Sequence, residues 1–155
     1  GVVALAGHSW DYRGVKQTTA LLLLLALLTA CQAQGPVDYA RPYPGRLAQK
    51  GNVNIQVVRQ TTTIELTNTT ARAFGPSTIW LNARYSRPIP ELKVGQTLTL
   101  SMKEFRDEHG DAFRHGGFFA AEAPDRLVLA QIETTDAEGQ PELIGLVVVN
   151  GVPER

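Results

Sequence analysis

Asp107-Glu108-His109-Gly110-Asp111, followed by Arg114-His115, is the densest run of metal-ligating and proton-carrying side chains in the sequence. Imidazoles beside carboxylates suit zinc or manganese, whereas carboxylates alone suit calcium. The candidate ligands are therefore Asp107, His109, Asp111 and His115. Their spacing fits no calcium loop, because the alternating Asp/Asn series and the closing Glu are missing. Asp and Gly also form turns, and Phe105 and Phe113 flank the run as core plugs. A solvated hairpin thus accounts for the same residues. Nucleophilic catalysis finds less support. Ser77 lies in Gly75-Pro76-Ser77, and neither it nor Ser86 or Ser101 sits in a Gly-x-Ser-x-Gly elbow. No catalytic residue is assigned. A separate candidate lies between Thr78 and Tyr85. If Ile79, Leu81, Ala83 and Tyr85 face a core, Trp80, Asn82 and Arg84 share the opposite face. An exposed Trp beside an amide and a guanidinium suits a peptide, glycan or protein contact. Two plainer arrangements use the same residues: Trp80 turned inward, or Arg84 covering it with its stem.

These side chains need elements to hold them, and the pattern is that of strands. Val53, Ile55 and Val57 alternate with Asn54 and Gln56. Ile64 and Leu66 alternate with Thr63, Glu65 and Thr67, and Leu98, Leu100 and Met102 with Thr97, Thr99 and Ser101. Period two marks strands with one face on a core and one on water. Leu127 to Ile132 and Leu143 to Val149 are more continuously apolar and read as central strands. Phe118 to Ala121 reads as a short further strand. Turns fall at Asn68-Thr69-Thr70, Pro88-Ile89-Pro90, Asp107 to Gly117 and Asp136 to Gly139. About seven short strands at this spacing predict an all-β domain over residues 51–155, built as an antiparallel β-sandwich. In pattern it resembles an immunoglobulin-like or fibronectin-like module without the paired cysteines.

The composition sets limits. Basic and acidic groups balance at 15 each, which argues against a nucleic-acid partner. The single cysteine excludes an intrachain disulfide framework and a multi-cysteine zinc site.

That cysteine has a distinctive context. Ala20 to Ala30 reads ALLLLLALLTA, too short to cross a bilayer as a helix but suited to the apolar region of a secretory signal. Arg13 and Lys16 precede it, and Leu28-Thr29-Ala30-Cys31 ends it. This run resembles the lipobox of bacterial lipoproteins. The resemblance implies cleavage after residue 30 and a covalent diacylglycerol on Cys31, with no other cofactor. Gln32, a residue other than Asp after the cysteine, implies sorting to the outer membrane in a diderm host. Residues 1–14 look like no signal region and are expected to be translated upstream sequence, with Val15 as the start. Residues 31–50, rich in Pro and Gly, are expected to form a tether.

The resulting expectation is a lipid-anchored cell-envelope protein acting as a binding or assembly module. Its partners would be the membrane, through lipid, and another envelope protein. The alternative is a small envelope hydrolase or metal-binding protein using the Asp107–His115 loop, which requires those side chains to converge in one pocket.

Overall fold

The structure is a computed structural model that describes residues 39–118 and 121–150, the side chain of Asn150 excepted. The signal-like segment, Cys31 and residues 119–120 of the expected strand at Phe118 to Ala121 fall outside the described residues, and Phe118 and Ala121 themselves are turn and bend.

Seven strands make up a little under half of the described residues. They are β1 (Gln49–Arg59), β2 (Thr63–Asn68), β3 (Ser77–Leu81), β4 (Tyr85–Ile89), β5 (Thr97–Ser101), β6 (Ala130–Thr135) and β7 (Pro141–Asn150). A single 3-10 turn, Met102–Glu104, follows β5. The strands join in one curled, half-barrel sheet of order β4-β3-β6-β7-β1-β2-β5. The all-β expectation therefore holds at the level of fold class.

The layout differs from an antiparallel sandwich in two respects. The strands form one hydrogen-bonded sheet, and β1 runs parallel to β7. Every other pairing is antiparallel. Alternation along a strand reports which face is buried but not the direction of its neighbour. A parallel pair joining the two ends of the domain leaves no local turn signal.

Burial follows the period-two pattern where one face is wet. In β1, Ile55 and Val57 are buried while Asn54 and Gln56 are exposed. In β2, Ile64 and Leu66 are fully buried. The concave face closes over these residues with Ile79, Leu81, Phe105, Phe113 and Ile132. Of the continuously apolar stretches, Leu143 to Val149 lies within β7, whereas Leu127 to Ile132 is strand only from Ala130, where β6 begins; β6 and β7 each have a strand neighbour on both sides. The β6–β7 hairpin closes at Asp136, whose backbone N–H donates to Gln140 O at 2.9 Å.

Two further boundaries move. The expected strand from Thr78 to Tyr85 is a hairpin. β3 ends at Leu81, Asn82 and Ala83 take φ of 53° and 52°, and β4 begins at Tyr85. Arg84 N–H donates to Leu81 O at 3.1 Å, which closes a turn with two left-handed central residues. Pro88 and Ile89, expected in a turn, belong to β4. The second boundary is the tether. Its described part, from Tyr39 on, packs on the convex face of the sheet, and β1 already begins at Gln49.

Candidate functional site

The Trp80, Asn82 and Arg84 trio does not form a shared exposed face. Trp80 has no exposed surface. It sits on the convex face, where Tyr43 meets it edge-on at 5.3 Å and the Arg41 guanidinium lies 4.9 Å above its ring. Its indole N–H donates to Glu133 Oε2 at 2.7 Å, and Glu133 in turn pairs with Arg41 at 2.5 Å. The segment read as a tether is what covers this Trp. Asn82 lies in the turn and binds backbone: its amide donates to Arg126 O at 2.7 Å and its Oδ1 accepts from Val128 N–H at 2.9 Å. Only Arg84 is exposed, and it pairs with Asp107 at 2.7 Å.

Around Trp80 the polar groups of the convex face form a chain. Tyr43 OH donates to Gln131 Oε1 at 2.9 Å, Gln131 Nε2 to Gln49 Oε1 at 2.7 Å, and Gln49 Nε2 to Asn52 Oδ1 at 2.7 Å. This chain crosses β6, β7 and β1 and passes over Gly145, where any Cβ would lie 1.9 Å from Asn52 Oδ1.

The Asp107–His115 loop divides its candidate ligands. Asp107 is buried, with Oδ1 accepting from His109 N–H at 3.0 Å and Asp111 N–H at 2.9 Å. Burial opposes its ionisation. The Arg84 guanidinium and the two backbone N–H groups outweigh that and hold the carboxyl below the ordinary carboxylate range. The His109 side chain is exposed and points to Glu108 at 3.6 Å. Arg84, Asp107, Glu108 and His109, with Tyr43 and Ala83, line a small cleft of about 190 Å³. His115 lines a separate groove of about 640 Å³, together with Thr62, Phe113 and Phe118. Its Nδ1 is buried and has no hydrogen-bond partner among the described residues. Among the described residues, no group of three or more His, Cys, Asp or Glu side chains is placed to hold a metal ion. Asp107 and His109 thus share one cleft while His115 lines another, so the candidates do not all converge in one pocket as the enzyme alternative requires. The carboxylate best placed as a base is fully engaged in an ion pair and a turn.

The wider groove is framed by charge. Arg59, at the end of β1, donates to the backbone carbonyls of Asp125 and His115 and lies 5.8 Å from the Phe113 ring. Burial lowers its pKa. Arg114 binds Asp125 at 2.6 Å and Glu122 at 3.0 Å. The hydrogen bonds from Arg114 lead the causes that hold the Asp125 carboxyl below its usual range. Sequence reasoning missed Arg59, Tyr43 and Asp125. None stands in a motif, and each acts by meeting residues far along the chain.

The chain matches no family model, no curated protein and no solved structure. Among the described residues no helix is long and apolar enough to cross a membrane.

Proposed function

We propose that this is a lipid-anchored protein of the bacterial cell envelope that acts as a binding or assembly module. The observation that carries the reading is the Leu28-Thr29-Ala30-Cys31 box at the end of the Ala20–Ala30 apolar run. A diacylglycerol on Cys31, joined by a further acyl chain, gives stable anchoring, because two chains hold where one binds only marginally. Gln32 directs the protein to the outer membrane. Confinement to one surface raises the effective concentration of the domain toward its neighbours there. The β-sheet domain supports this role as a compact body, used as an immunoglobulin-like module is used, with another envelope protein as its partner. Arg41, Arg72, Arg84 and Arg114 each pair with a carboxylate of the same domain, which suits a structural or binding role.

The test is labelling of cells with radioactive palmitate, followed by membrane fractionation and cross-linking in intact envelopes. The native chain takes up label, fractionates with the outer membrane and cross-links to one stoichiometric partner. Cys31→Ala loses label, membrane retention and the partner together. A Cys31→Ala chain that stays in the membrane, or a native chain without label, refutes the anchor.

A further inference from the structure

The sheet has two edges, and they are treated differently. At the β4 edge, Ser86 N–H donates to Arg106 O at 2.7 Å and Arg106 N–H returns to Ser86 O at 3.0 Å. The next outward position is Pro88, which has no N–H to offer. A bridge and a proline thus close this edge to pairing.

At the β5 edge, Asn68 N–H donates to Gln96 O at 3.0 Å, and Met102 N–H to Thr62 O at 3.0 Å. Hydrogen-bonded pairs alternate along an antiparallel ladder. The register, with Leu66 opposite Leu98 and Ile64 opposite Leu100, therefore turns the backbone groups of Leu98 and Leu100 toward β2. Those of Thr97, Thr99 and Ser101 point away from the sheet. No bridge covers them among the described residues. The Thr97 and Thr99 side chains are exposed, and no residue from Thr97 to Ser101 is charged. An open, neutral, β-branched edge without proline is a template for another strand.

We infer that β5 pairs with β5 of a second copy of this chain, antiparallel and centred on Thr99. The strand is self-complementary in that register. Thr99 faces Thr99 of the second copy, and Thr97 faces Ser101, so about six backbone hydrogen bonds form. Leu98, only partly buried at the open end of the core, then lies opposite Leu100 of the second copy at a Cα separation of about 4.5 Å. The apolar faces of the two sheets become continuous, and no like charges meet. The inference stands on the sheet alone and holds with or without lipid on Cys31.

Oxidative cross-linking of the full chain in intact cells tests this. The chain has one native cysteine, Cys31, so the unsubstituted protein supplies the background. Thr99→Cys places two thiols about 5.5 Å apart by Cα, within disulfide reach. It should give a band of twice the chain mass. Thr97→Cys alone should not, because two copies of that position lie roughly 13 Å apart. Thr97→Cys combined with Ser101→Cys restores the band. Adding Thr99→Lys to that pair should lower cross-linking by about tenfold, since two ammonium groups meet at the centre. The introduced ammonium can meet Glu65 across β2 within its own chain, so protease resistance of the variant should be unchanged. The inference is overturned if the folded Thr99→Cys chain gives no homodimer, if Thr97→Cys alone cross-links equally, or if the product holds a different protein.

Discussion

Asp107 illustrates how one residue can serve the fold while looking like chemistry. Its Oδ1 closes the turn through His109 N–H and Asp111 N–H, and its Oδ2 meets Arg84. Asp107→Ala leaves two backbone donors and a guanidinium unmatched, and should cost about 2 kcal/mol in urea unfolding. Asp107→Asn keeps an acceptor for the turn and should cost less. The pH dependence has a definite sign. The folded carboxyls of Asp107 and Asp125 lie below the ordinary value of about 3.9, so the unfolded chain binds more protons between the two values. Their stabilisation is present in full above about pH 5 and is lost as the pH falls through the folded values. Urea midpoints measured from pH 6 to 2 should drop on the acid side, and Asp107→Asn should flatten that drop. An unchanged acid limb would mean that Asp107 does not carry it. Trp80 was the residue best suited by type to a contact, and its surroundings decide otherwise. With the ring fully buried under Tyr43 and Arg41, Trp80→Ala should cost about 3–5 kcal/mol by opening a cavity. It should shift the unfolding midpoint itself, not merely weaken a partner.

Elements were legible where a residue's neighbours along the chain determine its environment, and not elsewhere. The one-sided strands β1, β2 and β5 show in the alternation of Ile55, Val57, Ile64, Leu66 and Leu100 with polar residues. The central strand β7 shows in its apolar run Leu143 to Val149, whereas β6 only overlaps the run Leu127 to Ile132 and carries Gln131 and Glu133 among its apolar residues. The β3–β4 hairpin did not show, because its turn lacks the expected glycine: Asn82 is followed by Ala83, which holds φ at 52° against its preference. Ala83→Gly should therefore stabilise the domain by about 0.5–1 kcal/mol, the release of strain exceeding the added entropy of the unfolded chain. A destabilised variant would contradict this account of the turn. The covering segment before β1 did not show either. Its contacts, Arg41 with Glu133 and Tyr43 with Gln131, span some ninety positions. Gly145 belongs to the same convex surface. A Cβ there collides with Asn52 and Gln49, so Gly145→Ala should break the polar chain and cost about 1 kcal/mol. In a Gln49→Ala, Asn52→Ala background the same change should be neutral, because the obstructing groups are gone. Additive losses in that cycle would show that the side chains over Gly145 are not the cause.

At the scale of the molecule, β7 joins two halves that otherwise do not pair. One half is β4-β3-β6 and the other is β1-β2-β5, and β7 is the strand between β6 and β1. It is antiparallel to the first and parallel to the second. Gln49 and Leu143, register partners in the parallel pair, lie at opposite ends of the described domain. Such distant pairing forms late and slowly, since loop closure precedes its stabilisation. β7 also carries Leu143, Ile144 and Leu146, each buried to 6% exposure or less. Losing three such side chains removes about 6 kcal/mol of burial, a large share of the roughly 5–15 kcal/mol by which a domain is stable. Removal also leaves β6 and β1 each with an unpaired inner edge. A chain ending at Gln140 should therefore show no cooperative unfolding by circular dichroism, although six of the seven strands remain. A synthetic peptide of residues 141–150 added in trans should restore it, because the missing piece is one strand with both neighbours waiting. Cooperative unfolding of the truncated chain alone would mean that the halves meet through the core without β7, and that the parallel pair is an accessory to the fold and not its keystone.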